Sequence, residues 1–157
     1  AGAWLYCRAA RADAETVFRR LLPAVPLIHG FGRIGCFLTG CCYGVECESL
    51  GLAFTASEAA PNGVKLLPVQ LIEAALVLAL FAPLARMSAR GKGARRMLGV
   101  YLAAYSAARF VLEFFRGDAL RGFVLGLSVS QLIAITSLAF AAYLLLGARG
   151  RGKACHQ

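Results

Sequence analysis

Charge is scarce in this chain. Of its 157 residues, 16% are Asp, Glu, Lys or Arg and 59% are apolar. Soluble domains carry about 25% charged and roughly 45–50% apolar residues. With the apolar residues gathered in long blocks, that shortage excludes an ordinary soluble domain and places the protein in the membrane class. Acid is scarcer still: 8 Asp and Glu stand against 17 Lys and Arg, a net charge of +9. On a soluble surface such an excess points to nucleic acid. Here the basic residues cluster between apolar blocks, the pattern of cytoplasmic loops, so no nucleic-acid partner is expected.

Other features are missing too. The chain has no internal repeat and no low-complexity tract beyond short basic loops. Six cysteines (7, 36, 41, 42, 47 and 155) are too scattered for a disulfide framework. Their central group, C-x4-C-C-x4-C from Cys36 to Cys47, lacks the paired C-x2-C of structural zinc sites. They read as small apolar fillers, with a Cys42–Cys47 disulfide as the alternative; no metal and no cofactor is expected. Neither a signal peptide nor a methionine opens the chain. Residues 1–7, AGAWLYC, read as the last turns of an apolar helix, so an N-terminally truncated sequence is expected.

What is present is a series of apolar blocks. Residues 8–20 are polar and read as an amphipathic connector or loop; residues 21–45 form an apolar span interrupted by Gly and Pro. After a polar loop (46–66), in which LGLAFTA offers a short strand, come spans at about 66–85, 97–115 and 123–147. Each is close to the roughly 20 apolar residues that cross a bilayer as a helix. The fold class expected is an all-α multi-pass bundle forming a single membrane domain over 1–157. Lys and Arg number four in 8–20, five in 86–96 and three in the tail, but one in 46–66 and two in 116–122. Four crossings then put the three basic segments on the cytoplasmic side, the C-terminus included, with Arg116 and Arg121 at the outer surface.

Within these oily blocks stand a few charges, each costing on the order of 3 kcal/mol at the bilayer centre. Such residues read by default as functional, and planar cations suggest an anionic substrate. Arg33 lies in HGFGRIGCFLTGCCYG. Its G-x-G-x-x-G, Gly30 to Gly35, lacks the strand–helix context and downstream acid of a dinucleotide fingerprint. Gly32, Gly35, Gly40 and Gly44 suit close helix packing, or a broken helix lining a cavity. Tyr105, Arg109 and Glu113 follow at i, i+4, i+8, with Arg116 three further on, so Glu113 can pair either arginine; Arg116 can instead snorkel. Gln70 and Glu73, in the first turn of the second span, can hold a loop or an arginine. His29 reads as a base or as a hydrogen-bonded structural residue.

Four segments, taken together and in order, resemble the bacterial prolipoprotein diacylglyceryl transferases over about residues 20–147. LLPAVPLIHGFGRIGCFLTGCCYG resembles the family signature around GRIGNFxNGExYG. LLPVQLIE is similar to its HPTQLYE segment, YSAARFVLEFFRGD to YGxFRFxVEFFR, and LGLSVSQLIAI to its LSMGQ-type final helix. Cys36, Thr39, Cys41 and Leu67 depart from that pattern. The resemblance implies the C-terminal part of a seven-helix fold in the bacterial cytoplasmic membrane. It also implies transfer of a diacylglyceryl group from phosphatidylglycerol to the lipobox cysteine of a preprolipoprotein. It gives Arg33 the position that binds phosphatidylglycerol, with Gly32, Gly35, Gly40 and Gly44 as the signature glycines. Gln70, Glu73 and Arg116 fall on further substrate-binding positions, and Arg109, Glu113 and Tyr105 on a second polar cluster. In the mechanism it implies, Arg109 stabilises the departing glycerol phosphate, while Glu113 and Tyr105 orient Arg109. The family's His-Gly-Gly segment, thought to supply a catalytic histidine, has no match here, which leaves His29 as the candidate base and this stretch alone expected to be inactive. A catalytically inactive lipid-binding module and a small anionic-solute transporter are the alternatives; a transporter predicts a two-fold sequence symmetry that the chain lacks.

Overall fold

A computed structural model describes residues 2–117, 123, 124 and 126–151. The elements run α1 (Gly2–Ala9), α2 (Ala14–Leu21), α3 (Ala24–Thr39), β1 (Leu52–Ala53), β2 (Lys65–Leu66), α4 (Val69–Ala79), α5 (Phe81–Ala89), α6 (Ala94–Leu112), β3 (Phe123–Val124), β4 (Leu127–Ser128) and α7 (Val129–Arg151). Four helical stretches are long and apolar enough to cross a membrane: Ala14–Thr39, Val69–Ala89, Ala94–Phe115 and Val129–Gly147. The protein is a mostly helical membrane protein. Ile28, Phe31, Leu38, Ile133 and Tyr143 are each at least 60% exposed, an apolar surface that only lipid or another helix suits.

Helix boundaries follow the residues that bend or stop a chain. Of the two readings of residues 8–20, the amphipathic one fits: a short turn at 10–13 leads to Asp13, which accepts from the Glu15 and Thr16 amides and starts α2, as an N-cap should. α2 runs almost directly into α3, broken only at Leu22-Pro23. Pro26 sits in the first turn of α3, where its missing N–H removes no helical bond. Contrary to the expected interruption, α3 is continuous through Gly30, Gly32 and Gly35, and it ends at Thr39 rather than reaching residue 45. Gly40 stops it, at φ +73°, where a glycine carries no Cβ penalty. Pro83 breaks the second span instead. It cannot donate to the carbonyl of Ala79, and α4 gives way to α5 at Leu80.

The last span also begins later than residue 123. Residues 123–128 include an antiparallel β3–β4 hairpin, and α7 starts at Val129 with a capping box. The Gln131 amide donates to Ser128 Oγ (3.1 Å) and the Ser128 amide to Gln131 Oε1 (3.0 Å), so two otherwise orphaned donors are satisfied reciprocally. LGLAFTA supplies β1, which pairs with β2. Of the basic residues in the loops and tail, Arg121 and Lys153 lie outside the described residues.

α6 and α7 pack most extensively, and Gly99 allows it: a Cβ there would sit 2.9 Å from Leu145. Small residues let helix backbones approach in this way where no hydrophobic drive separates protein from lipid. α3 packs on α4, and Leu22, Leu84, Ala94, Met97 and Tyr101 form a buried cluster between α2, α5 and α6. Glu15 accepts from the Ala94 amide at 2.5 Å, placing a carboxylate at the N-terminus of α6, where the helix dipole favours it.

Candidate functional site

The polar residues of three helices meet at one carboxylate. Glu73 is 1% exposed, and such burial demands partners. Arg33 Nη2 from α3 lies 2.9 Å from Glu73 Oε1, and Tyr105 Oη from α6 donates to the same oxygen at 3.1 Å. His29 Nε2 stands 4.0 Å from it, while His29 Nδ1 is 2.8 Å from the Tyr101 hydroxyl. The His29 ring meets Tyr105 edge-on at 4.6 Å between centroids. Arg33 and His29 reach the same group because they sit four residues apart, on one face of α3.

A second ion pair lies at the far end of α6. Arg109 Nη2 is 2.7 Å from Glu113 Oε2, one turn on, and also donates to Ser130 Oγ of α7 at 3.2 Å. Both partners engage one nitrogen. Arg109 Nη1 is buried with no hydrogen-bond partner among the described residues, which leaves a donor able to take a further acceptor. Between the two clusters lies a cavity of about 270 Å³ lined by Arg33, Tyr105, Ser106, Arg109, Ser130, Ile133, Ala134 and Ser137. Two guanidinium groups, three serine hydroxyls and an apolar wall suit a ligand that is anionic at one end and apolar at the other.

The remaining residues singled out from the sequence fall in three groups. Gln70 Nε2 donates to the Cys41 carbonyl at 2.8 Å, so Gln70 holds the loop while Glu73, one turn on, holds the arginine. Gly44 lies in an extended stretch hydrogen-bonded on both sides. Its amide donates to Leu67 O, Leu67 N donates to Val45 O, Val45 N to Phe115 O and Gly117 N to Tyr43 O. A Cβ at Gly44 would meet Leu67 O at 2.5 Å and Phe115 O at 2.9 Å. Arg116 joins this layer, bridged to Gly44, and does not line the cavity. Gly32 and Gly35 face open space, with nothing within 4 Å of a built Cβ, so neither packs against a helix among the described residues.

The packing defines the partners of three of these residues. Tyr105 does not reach the Arg109–Glu113 pair with its hydroxyl; it turns to the buried Glu73 instead. Glu113 pairs Arg109 within the helix, the i, i+4 geometry being already met. His29 does not line the cavity, since Tyr101 and Glu73 hold its ring behind Tyr105. Ser130, Ser106 and Ser137 escaped the sequence reading because serines in an apolar helix carry no periodic signal. Cys7, Cys36, Cys41, Cys42 and Cys47 form no disulfide with one another.

Comparison with known proteins gives this arrangement a lineage. The family model described as prolipoprotein diacylglyceryl transferase matches residues 1–147. A phosphatidylglycerol–prolipoprotein diacylglyceryl transferase of Clostridium tetani is 37% identical over 136 residues, covering 86% of this chain and 54% of the relative. The transferase 2 of Clostridium perfringens is 42% identical over 116 residues, 73% of this chain and 45% of the relative. That of Chlorobaculum tepidum is 33% identical over 154 residues, 96% and 52%. The chain spans about half the length of these curated relatives. It belongs to the prolipoprotein diacylglyceryl transferase family.

Proposed function

We propose that the protein takes part in lipoprotein lipidation, moving a diacylglyceryl group from phosphatidylglycerol to the lipobox cysteine thiol of a preprolipoprotein. The observation that carries this reading is the cavity that Arg33 and Arg109 share, with a buried Arg109 N–H left over. A guanidinium stays charged at any working pH and offers a planar fork that matches phosphate oxygens. Where the two guanidinium groups are partly withdrawn from water, that attraction is stronger than in solution.

In the reaction the sulfur of the thiol attacks the glyceryl carbon that bears the phosphate oxygen, and the thiol proton ends on the departing glycerol phosphate. The C–S bond forms, the C–O bond breaks, and glycerol phosphate leaves with the electron pair. Arg33 holds the lipid phosphate, with Glu73 and Tyr105 fixing its orientation. Arg109, aimed by Glu113 and Ser130, meets the charge that grows on the leaving oxygen, the point at which a preorganised donor contributes most. Gln70 and Gly44 keep the outer loop seated, with Arg116 in the same hydrogen-bonded layer. His29 takes a supporting part, holding Tyr101 and Glu73, rather than that of the base. The working protein sits in the bacterial cytoplasmic membrane, with residues 46–66 outside and the C-terminus in the cytoplasm.

Lipid transfer by full-length Arg33→Ala protein tests the reading. A loss on the order of 10²–10³ in rate is expected for removing one such donor. Undiminished transfer, in protein that binds membranes and folds as before, would refute the phosphate role.

A further inference from the structure

The C-terminal end of α3 is closed by a Schellman motif. The Gly40 amide donates to Phe37 O (3.0 Å) and the Cys41 amide to Cys36 O (3.1 Å), with Gly40 left-handed at φ +73°. This motif brings the side chain just past the cap against the one five residues earlier, usually as an apolar contact. In this chain both positions are cysteines. Cys41 Sγ lies 3.5 Å from Cys36 O, and both residues are half-buried rather than sealed in the core. Nothing in the lipid-transfer chemistry above uses either.

We propose that Cys36 and Cys41 form a redox-active pair, a dithiol that oxidises to a disulfide across the C-terminal turn of α3. The reaction is exchange with an external disulfide such as oxidised glutathione. Cys41 thiolate attacks one glutathione sulfur, releasing the other glutathione as a thiolate. Cys36 thiolate then attacks the mixed disulfide at the Cys41 sulfur and releases the second glutathione. Two electrons and two protons pass from the pair to the oxidant, which ends as two thiols. Cys41 suits the first attack: the Thr39 hydroxyl, 3.4 Å from its sulfur, holds that thiol below its ordinary pKa. The bond would staple the turn that follows Arg33 by one helical turn and whose Cys41 carbonyl anchors Gln70. The orientation proposed above places this turn on the outer side, where disulfides persist; the pairing itself does not depend on that orientation.

Competing thiols are close, so the test isolates the pair. Cys42 adjoins Cys41 in the sequence, and Cys47 lies against Ser49 at 3.5 Å. The full-length protein with Cys42→Ser and Cys47→Ser is reduced, equilibrated in a mostly oxidised glutathione buffer, alkylated with N-ethylmaleimide, digested and weighed. The peptide holding residues 36 and 41 is expected to lose 2 Da and to take up no maleimide, and dithiothreitol should restore two alkylation sites. Adding Cys36→Ser or Cys41→Ser should abolish the bond. Two maleimides on that peptide after oxidation, or glutathione trapped on one cysteine, would overturn the proposal. So would a wild-type bond mapped to Cys41–Cys42 or Cys42–Cys47. Because transfer activity is not the readout, the outcome is separable from that of Arg33→Ala.

Discussion

The two ion pairs around the cavity are built on opposite plans. Arg33–Glu73 joins α3 to α4 and recruits Tyr105 from α6, so a single carboxylate oxygen ties three helices together. Arg109–Glu113 closes over the last turn of α6, with Glu113 at its C-cap, and Arg109 also reaches Ser130 of α7. The first pair is the product of assembly; the second needs only a helix. A pair that depends on assembly also reports on it, so its loss is felt across the bundle. The local pair saves its free donor, Arg109 Nη1, for the cavity.

That contrast gives an order of effects. Glu73→Ala is expected to be the most damaging, about 3–5 kcal/mol, because it leaves a half-buried arginine without its counter-charge; thermal unfolding in detergent or lipid measures it. Glu113→Ala should cost less, about 2 kcal/mol, since Ser130 still receives Arg109, but should depress transfer through misaimed Arg109. A double-mutant cycle on each pair sharpens the point. Coupling at Arg33–Glu73 should extend to Tyr105→Phe, whereas coupling at Arg109–Glu113 should be independent of it. Equal costs for the two carboxylates, or Tyr105 coupling to Glu113, would break the comparison.

Smaller changes probe the supports. Ser128→Ala removes half of the capping box and is expected to cost about 1 kcal/mol. Ser130→Ala should lower stability by about 1 kcal/mol or less, with its larger effect on transfer rate rather than on melting. If Ser130→Ala leaves the rate untouched, Arg109 is held by Glu113 alone.

The sequence carried the local half of this picture plainly. The i, i+4 spacing of Arg109 and Glu113, the four apolar stretches and the strand in LGLAFTA are short-range patterns, and each found its counterpart. The boundaries it misplaced were set by single residues. Gly40 stopped α3 well short of residue 45, Pro83 rather than the glycines broke a span, and the Ser128–Gln131 box delayed α7 to Val129. In each case a longer apolar run masked the local signal.

By itself, then, the sequence determined a membrane protein of mostly helical crossings, with cations placed where burial makes charge expensive, because composition and period are properties of the chain alone. Only the tertiary structure decided which oxygen each cation meets. Arg33 and Glu73 lie forty residues apart, and no spacing rule connects them. The packing of α3 on α4, and of α6 beside them, brings both groups out of water at one point, where each is the other's least costly neighbour. The same packing turned Tyr105 away from Glu113, placed three unpatterned serines around the cavity, and left Gly32 and Gly35 facing outward.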